Sequence, residues 1–384
     1  MLSGNKKYGL LGFLAGVLFA VAGLVAGLVG LAGNDPAVAG HLARFLLAHY
    51  YIDKHFVNDV AEDKLINGAI DGMVKSLDER YSRYLGTKQY EELKRSTEAA
   101  FGGIGIVMGL KNDQVMVLGV MPDTPGEAAG LLTGDRIMAV DGVPVSKYQF
   151  DEVALHVRGE VGTAVVLRIA REGEPEKDYS IERAVIRVKT AAGKLLDDNI
   201  GYIRIASFAE NTDAEFKKEF ERLEKEGMKA LIIDVRENPG GLVTSCVGIA
   251  NTVVPKGPVV SVVHRDGREE RYESNLETVK YPVAVLINGN SASASEILAG
   301  ALQDTKTGIL VGTKSYGKGS VQAVLPLGTG DAMKLTIAKY YTPGKKVIDG
   351  NGIEPDVKVE MPEDATEDVQ LLKAEEILRE KITK

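Results

Sequence analysis

The spacing of apolar residues changes several times along the chain, and each change predicts a different kind of structure. Residues 37–97 repeat apolar positions at steps of three and four, as in LARFLLAHYYIDKHF, which predicts a helical N-terminal arm. Residues 98–183 contain short apolar runs separated by glycine, which is typical of strands in a small α+β domain. Residues 184–361 alternate strand-like and helix-like runs, which predicts a layered α/β core, and residues 362–384 form a charged helical tail.

The first 36 residues depart from this globular pattern. No charged residue occurs from Tyr8 to Gly33, a stretch rich in Leu, Val, Ala and Gly that follows Lys6 and Lys7. At about 1.5 Å per residue, a helix of this length crosses a bilayer, and the preceding lysines orient the rest of the chain out of the cytoplasm. We expect residues 1–36 to be a transmembrane anchor in the inner (cytoplasmic) membrane, with a cleaved signal peptide as the alternative. Either segment places the body of the chain on the periplasmic or extracellular side.

Composition and charge exclude several classes of protein. The chain of 384 residues carries a net charge of -8, so it lacks the basic surface that nucleic-acid binding requires. The single cysteine, Cys246, excludes an intrachain disulfide bond and a thiolate metal cluster. The five histidines are scattered and no HExxH motif occurs, so we expect no metal site.

The glycine-rich part of the chain carries a specific order of motifs. In TPGEAAGLLTGDRIMAVDGVPV, a short helix ends at Gly130, a turn leads into an apolar strand, and Asp-Gly forms a tight hairpin turn. This stretch resembles a PDZ domain in the circularly permuted order found in bacterial proteases. FGGIGI then corresponds to the carboxylate-binding loop, because its glycines allow consecutive backbone N–H groups to face one anion. The expected peptide-binding residues are Gly102, Gly103, Ile104, Gly105 and Ile106.

Three serines at alternating positions follow the apolar stretch VAVLI, in NGNSASASEILAG. Ser293 and Glu296 have the spacing of a capping box, so Ser293 has an ordinary explanation as the first residue of a helix. A nucleophile at this position would lie at the positive end of that helix, where the backbone N–H of Ala294 can stabilise an oxyanion. Ser291 and Ser295 are alternative caps, and the pattern leaves both interpretations open.

A serine nucleophile needs a base, and the chain offers two candidates. His264 lies in SVVHRDGRE beside a predicted hairpin turn and is explained as an exposed residue at a strand end. Lys318 lies in YGKGSVQAVLPL between two glycines, where burial of its amine would lower the pKa as a lysine base requires. Gln322 lies on the same face of the predicted strand and can hold the amine. The ordinary alternative is a surface lysine in a glycine loop.

The lysine region also nearly matches a nucleotide-binding loop. GTKSYGKG, from Gly312 to Gly319, fits the pattern GxxxxGK[ST] except at its last position, where Gly319 replaces the hydroxyl that binds magnesium. An exported domain also meets little ATP. We therefore expect no bound nucleotide and no other cofactor.

Taken together, the motifs resemble those of the carboxyl-terminal processing peptidases, serine proteases that use a serine/lysine dyad. The matching pieces, in the order of that family, are SLDERYSRYL, FGGIGI, TPGEAAGLLTGDRIMAVDG, IDVRENPGG, NGNSASASEILAGALQD, YGKGSVQ and YYTPGKKVIDGNGIEPD. The resemblance covers nearly everything after the apolar N-terminus. It implies a multidomain α/β protein whose protease core, residues 184–361, is of the ClpP/crotonase-like type.

The resemblance also implies a role for individual residues. Ser293 is the nucleophile, Lys318 is the base, and Gln322 orients the lysine. The motif ENPGG departs from the longer glycine run of the family, which leaves the choice of one oxyanion-hole residue open. The implied oxyanion-hole amides are those of Ala294 and of either Gly240 or Gly241.

The implied function is that of a membrane-anchored, extracytoplasmic serine endopeptidase. Its PDZ domain captures the free C-terminus of a protein substrate, and its core hydrolyses a peptide bond through an acyl-enzyme. If the PDZ domain also gates the site, Lys318 lies near Ser293 only in the engaged state. The expected partners are protein substrates and the membrane, with further copies of the chain and a regulatory adaptor protein as candidates. The alternative function is a catalytically inactive, membrane-tethered PDZ adaptor.

Overall fold

The structure is a computed structural model that describes residues 36–111, 114–362 and 364–383. Residues 1–35 of the predicted anchor lie outside the described part of the chain. Among the helices that are described, none combines the length and the apolar composition needed to cross a bilayer. The chain divides into a first unit that ends at Asp78 and a second unit, Glu79–Lys384, that contains the candidate site.

The described part of the first unit contains the helices α1 (Pro36–His55) and α2 (Glu62–Lys75). Acidic residues in the first turn of α2 and Lys75 in its last turn complement the helix dipole. Many large apolar side chains of α1 are exposed to solvent. They include Phe45, Leu46, Leu47, Tyr50 and Tyr51. An exposed apolar surface of this kind is typical of a segment that contacts another protein or a membrane.

The second unit begins with a short strand and a helix that lead into the glycine-rich module. The elements in chain order are β1 (Arg83–Leu85), α3 (Thr87–Glu98), β2 (Ala100–Gly103), β3 (Ile106–Lys111), β4 (Gln114–Val120), α4 (Pro125–Ala128), β5 (Arg136–Val140), β6 (Val143–Pro144), a 3-10 turn (Val145–Lys147), α5 (Phe150–Val157), β7 (Ala164–Ala170), β8 (Lys177–Glu182) and β9 (Ala184–Arg187). An antiparallel sheet is formed by β3, β4, β5, β7 and β8, with β6 paired to β5. The alternating sequence of β7 buries Val165, Leu167 and Ile169 in the core of this module.

The remainder of the second unit alternates strands and helices. The elements in chain order are β10 (Ala191–Leu195), a 3-10 turn (Asp197–Asn199), β11 (Ile200–Ile205), α6 (Thr212–Lys225), β12 (Ala230–Asp234), α7 (Val243–Val253), β13 (Gly257–His264), β14 (Glu269–Ser274), β15 (Val283–Ile287), α8 (Ala294–Asp304), β16 (Gly308–Gly312), β17 (Ser320–Pro326), β18 (Ala332–Tyr341), β19 (Val357–Lys358) and α9 (Val369–Thr383). These elements form two sheets with helices packed between and outside them.

The central sheet contains β10, β11, β12, β15, β16 and β19, in that order. The four strands β11, β12, β15 and β16 run parallel to one another, whereas β10 is antiparallel to β11. Every residue of β12 and β15 is buried. Successive residues of β15 point to opposite faces of the sheet. Val283, Val285 and Ile287 pack with α6, α7 and α8, whereas Ala284 and Leu286 pack with α9.

A second, antiparallel sheet covers α7 and α8 from the other side. It contains β1, β18, β13 and β14 in that order, and β17 also pairs with β18. Val260 and Val262 of β13, together with Ala338 and Tyr340 of β18, belong to the same apolar core as the helices. The start of α8 is therefore buried between two sheets, which restricts its movement.

The last helix, α9, is a layer of the core rather than a peripheral tail. Its residues Ala374 and Leu378 are fully buried against the central sheet. The guanidinium of Arg236, just after β12, lies 2.7 Å from a carboxylate oxygen of Asp234 and 2.7 Å from one of Asp368. This partly buried ion-pair network connects the end of β12 to the segment that leads into α9.

Candidate active site

Three loops meet at one edge of the central sheet, where β12, β15 and β16 end. The first contains NPGG, the second contains the three serines, and the third contains Lys318. Neighbouring parallel strands end at the same edge of a sheet, so residues distant in sequence come together there. Backbone hydrogen bonds join the loops: the N–H of Ala292 donates to Asn238 O at 3.0 Å, and the N–H of Tyr316 donates to Ser291 O at 3.1 Å.

Ser293 has a strained backbone conformation at the start of α8. Its φ of 56° and ψ of -114° lie in a region that residues with a side chain rarely adopt. The predicted capping box is half formed, because the Glu296 carboxylate accepts the Ser293 N–H at 2.8 Å while the Ser293 hydroxyl does not cap the helix. The Ser293 side chain is instead a hydrogen-bond partner of the Tyr340 phenol. The hydroxyl is therefore not required to start α8.

The neighbouring serines have structural roles. The buried hydroxyl of Ser291 donates to Val235 O at 2.8 Å. The buried hydroxyl of Ser295 donates to Asn238 O at 2.9 Å. Both hydroxyls fix the NPGG loop against the serine loop, and Ser293 is the one serine of the three with a partly exposed side chain.

The NPGG loop approaches Ser293 so closely that only glycine fits. A Cβ atom on Gly240 would lie 2.7 Å from Ser293 Cβ and 2.9 Å from the nitrogen of Ala294. The N–H of Gly240 is already used, because it donates to Asn238 Oδ1 at 2.8 Å. In the part of the chain that the structure describes, no acceptor is found for the N–H groups of Gly241 and Ala294. The site therefore has two unused backbone donors beside Ser293.

Lys318 lies in the loop before β17, with its amine over the ring of Tyr81. The distance from Nζ to the ring centroid is 4.9 Å, which is typical of a cation–π contact. Among the described residues, no hydrogen bond joins this amine to Ser293. The structure thus brings the backbone of the lysine loop to the serine loop but does not join Lys318 Nζ to Ser293 Oγ.

The surroundings of Lys318 favour its neutral form. Its pKa is lowered from the usual value, first by burial and then by the positive charge of Lys334. The charges of Glu296 and Glu79 act in the opposite direction. The pKa of Lys334 is itself lowered, chiefly by burial. Lys334 therefore lies close enough to affect the titration of Lys318.

Gln322 is hydrogen-bonded to residues other than Lys318. Its Nε2 donates to Ser320 Oγ at 2.9 Å and to Thr336 Oγ1 at 3.2 Å. Lys318 precedes the first residue of β17, and the pairing of β17 with β18 is irregular between Val321 and Gln322. The expectation that Lys318 and Gln322 share one strand face therefore does not describe this structure.

A turn at the start of the second unit holds Tyr81 over Lys318. The carboxylate of Glu79 accepts the N–H of Tyr81 at 3.1 Å and the N–H of Ser82 at 2.7 Å. It also accepts the hydroxyl of Thr336 on β18 at 2.8 Å. The motif SLDERYSRYL suggests no such role, because its contact with Lys318 depends on the pairing of strands that are distant in sequence.

Tyr340 is a second residue of the site that the sequence did not indicate. Its ring is buried in the core, and its hydroxyl donates to the carbonyl oxygen of Lys318. The pKa of Tyr340 is raised well above its usual value by burial and by the Glu296 charge, while the Ser293 hydrogen bond opposes the shift. This phenol therefore touches both the serine and the lysine loops. In the sequence, Tyr340 in AKYYTPG looks like an ordinary core residue of a strand, and nothing there indicates a role in the site.

The competing sequence interpretations have structural explanations. His264 ends β13, and its Nε2 lies 3.0 Å from Glu270 Oε1. GTKSYGKG leads into strand β17, so it lacks the helix N-terminus on which a P-loop binds phosphate. Within residues 36–111, 114–362 and 364–383, no group of three His, Cys, Asp or Glu side chains is arranged to hold a metal ion.

The predicted peptide-binding residues surround a tight turn between β2 and β3. Gly102 and Gly103 end β2, Ile104 is buried, Gly105 has a φ of 77°, and Ile106 begins β3. A positive φ explains the need for glycine at this turn.

The strand that follows this turn packs against α5. Together β3 and α5 carry exposed apolar side chains at Val107, Leu110 and Leu155. An exposed strand edge beside an apolar helix face is the surface on which an extended peptide can add as a further strand.

Three segments of the chain match known protein families. Residues 199–359 match peptidase family S41, and residues 116–171 match the PDZ domain. Residues 32–89 match the N-terminal domain of the activating protease CtpB.

Several known proteins are similar over most of the chain. A carboxy-terminal-processing protease of Bartonella bacilliformis is 37% identical over 358 residues, which is 91% of this chain and 82% of the relative. The carboxy-terminal processing protease CtpA of Bacillus subtilis is 36% identical, covering 82% of this chain and 68% of the relative. Among solved structures, a photosystem II D1 C-terminal processing protease is 30% identical with a TM-score of 0.50, covering 82% of this chain and 86% of that one.

Proposed function

Because the chain belongs to peptidase family S41 and is a serine-type C-terminal processing protease with a PDZ domain, we propose that Ser293 and Lys318 form its catalytic dyad. The observation that supports this assignment most strongly is the environment of Ser293. Ser293 is partly exposed and its hydroxyl does not cap α8, and the backbone N–H groups of Ala294 and Gly241 have no acceptor among the described residues. The hydroxyls of Ser291 and Ser295 are buried in structural hydrogen bonds.

In the proposed reaction, Ser293 Oγ attacks the carbonyl carbon of the scissile peptide bond while Lys318 Nζ takes its proton. The tetrahedral intermediate collapses to an acyl-enzyme, and the leaving amine receives the proton from Lys318. A water molecule then attacks the acyl group, again with Lys318 as base. Release of the new carboxylate returns the proton to Ser293, so the enzyme is regenerated without a cofactor.

The proposed oxyanion hole uses the N–H groups of Ala294 and Gly241. Gly240 is the less suitable glycine, because its N–H already donates to Asn238. Gly241 has no such partner among the described residues, and a Cβ atom on its neighbour Gly240 would lie 2.7 Å from Ser293 Cβ. Donors that are oriented before the reaction stabilise developing negative charge without reorganisation.

The proposed active state requires the Lys318 side chain to leave Tyr81. A cation–π contact stabilises the protonated amine, whereas the dyad needs a neutral amine beside Ser293. We therefore propose that this structure represents the disengaged state expected if the PDZ domain gates the site. In the engaged state, Gln322 would hold the neutral amine, as the family resemblance implies.

The proposed substrates are proteins whose C-termini bind as an extended strand along β3. Apolar side chains on β3 and α5 favour an apolar C-terminal residue, and the turn at Gly105 is the proposed site of its carboxylate. Substrate choice by this PDZ domain would then precede cleavage in the core.

We further propose that residues 1–36 anchor the chain in the inner membrane, with the catalytic body on the periplasmic or extracellular side. The support is the uncharged stretch and the two lysines before it. The exposed apolar side chains of α1 support self-association through the first unit, and the match to the N-terminal domain of an activating protease supports regulation through it.

The second candidate function, an inactive PDZ adaptor, is not favoured. A nonfunctional site would not need a strained backbone at Ser293, which costs about 1–3 kcal/mol. Nor would it need a lysine whose pKa is lowered by burial.

Cleavage of an unfolded protein such as casein by the full chain in detergent micelles tests the dyad. We expect Ser293→Ala and Lys318→Met each to reduce kcat by about 10³-fold or more, with little change in the thermal midpoint. Lys314→Met is the matched control, because Lys314 is exposed in the same loop and forms an ion pair with Glu354. Unchanged cleavage by Ser293→Ala would remove the proposed nucleophile, and unchanged cleavage by Lys318→Met would remove the proposed base.

A further inference from the structure

Glu296, in the first turn of α8, has a fully buried carboxylate that contacts both loops of the proposed dyad. Its Oε2 accepts the backbone N–H of Ser293 at 2.8 Å and the backbone N–H of Lys318 at 2.9 Å. Its Oε1 accepts the hydroxyl of Ser315 at 2.6 Å and the N–H of Gly317 at 2.7 Å. One side chain thus joins two loops that come from different strands of the central sheet.

We propose that Glu296 is a positioning residue that sets the distance between the nucleophile and the general base. This inference rests on the proposed function, because it presupposes that Ser293 and Lys318 react together. The two backbone N–H groups bound to one oxygen belong to the two dyad residues themselves. Any displacement of one loop relative to the other must lengthen one of these bonds.

A role limited to helix capping does not explain these contacts. A capping box requires only that the glutamate accept the N–H of the first residue, and Ser293 does not return the usual bond from its hydroxyl. The other three donors belong to residues 315–318, in the loop after β16. Most of the hydrogen-bonding capacity of Glu296 is therefore directed at the lysine loop.

The geometry favours the carboxylate ion of Glu296. Each oxygen accepts two hydrogen bonds, and the backbone N–H groups can only donate. The Ser315 hydroxyl donates to Glu296 at 2.6 Å, and its oxygen accepts the N–H of Ile353 at 2.7 Å. Burial raises the pKa of Glu296, while the four donors oppose that shift. A charge-assisted site of this kind holds its partners more firmly than neutral hydrogen bonds do.

The charge of Glu296 has a second, separable effect on the proposed base. Among the described residues, three charged or titratable groups besides Glu296 on α8 act on the Lys318 amine. They are Lys334 on β18 and, in the segment before β1, Glu79 and Tyr81. The negative charge of Glu296 raises the pKa of Lys318. Neutralising it would therefore lower the pH at which Lys318 loses its proton.

Glu296→Gln and Glu296→Asp in the full chain separate position from charge. Glutamine has nearly the same shape but replaces one acceptor oxygen with an NH₂ group that faces backbone donors, whereas aspartate keeps the charge but is shorter. We expect both variants to lose about 10²-fold in kcat, because a displacement near 1 Å in an active site has that effect. We expect the pH dependence of the remaining activity to move to lower pH in Glu296→Gln but not in Glu296→Asp.

Glu215→Gln is a matched control for loss of structural hydrogen bonds. Glu215 on α6 accepts the N–H and hydroxyl of Thr190 and the N–H of Ala191, and within the described residues it has no hydrogen bond to Ser293 or Lys318. We expect Glu215→Gln to lower the thermal midpoint as much as Glu296→Gln does while its kcat stays within about threefold of the wild type. If Glu296→Gln does not accumulate in folded form, the kcat of Glu296→Asp decides whether Glu296 positions the dyad.

The outcomes distinguish this inference from the proposed function. A kcat within about threefold of the wild type for Glu296→Gln, with Ser293→Ala and Lys318→Met inactive, would overturn the role of Glu296 and leave the dyad intact. A loss of kcat in Glu215→Gln equal to that in Glu296→Gln would reduce Glu296 to a structural residue. Activity in Ser293→Ala would instead contradict the dyad itself.

Discussion

The two halves of the proposed dyad differ in how firmly the protein holds them. The Ser293 half is preformed, since buried hydroxyls, the Asn238 side chain and a strained backbone fix its conformation. In the described part of the chain, hydrogen bonds hold the Lys318 half at its backbone, through Glu296 and Tyr340. Its amine lies over an aromatic ring and has no hydrogen bond to the serine.

This difference indicates that activation requires movement of one side chain rather than assembly of the whole site. Oxyanion donors lose their advantage if they must reorganise during the reaction, so a rigid nucleophile loop suits catalysis. A base that leaves its resting contact only when a substrate is engaged suits control, because an unengaged protease then has little activity. Three experiments test the contrast between a rigid serine side and a movable lysine side.

The largest effect is expected on the rigid side, from Gly241→Ala. Gly241 has a φ of 145°, and a Cβ atom there would lie 2.1 Å from Phe208 O, so the loop must shift. We expect kcat to fall about 10²- to 10³-fold, the usual effect of losing one oxyanion donor, and the free energy of unfolding to fall by about 1–3 kcal/mol. Kinetics and chemical denaturation measure the two effects.

Gly289→Ala is the control for this change. Gly289 lies in the serine loop, but a Cβ atom there would have its nearest neighbour, Lys314 O, at 4.0 Å. Its kcat and stability should remain close to those of the wild type. Full activity in Gly241→Ala would show that the NPGG loop is not rigid, and it would contradict the proposed difference between the serine side and the lysine side.

An intermediate effect is expected on the movable side, from Tyr81→Leu. Leucine keeps an apolar group over Lys318 but removes the ring that stabilises its protonated form. With a short peptide that lacks a PDZ-binding C-terminus, we expect kcat/KM to rise between about twofold and thirtyfold. This range corresponds to the free energy of one cation–π contact. Tyr81→Phe keeps the ring and should behave like the wild type. Lower activity in Tyr81→Leu would mean that the ring supports the active lysine instead of holding it at rest.

The smallest effect is expected from Lys334→Met, which changes charge without touching either reactive group. The positive charge of Lys334 lowers the pKa of Lys318, so its removal raises that pKa and leaves less neutral amine at a given pH. The acid limb of the pH profile of kcat/KM should therefore move to higher pH. At neutral pH, kcat/KM should fall by less than about tenfold. Lys314→Met should leave the profile in place. A shift to lower pH would contradict the prediction, because it would mean that Lys334 does not lower the pKa of Lys318.

The sequence predicted the features that depend on local pattern. The family resemblance and the PDZ domain, which rested on motifs in a fixed order, are confirmed by the matches to known families. The serine, glycine and lysine loops each follow a strand of apolar residues, and the parallel order of β12, β15 and β16 brings them to one edge. The roles of individual site residues and the domain boundaries stay predictions.

Only the tertiary structure decided the features that depend on contacts between distant elements. Glu296 looks like a capping residue in sequence, because the donors from the lysine loop arrive only when β15 and β16 pair. The choice of Gly241 over Gly240 depends on the direction of a single Asn238 side chain. Tyr81 meets Lys318 because β1 pairs with β18. Local periodicity determines which residues form strands and helices, but packing between sheets determines which polar atoms find each other.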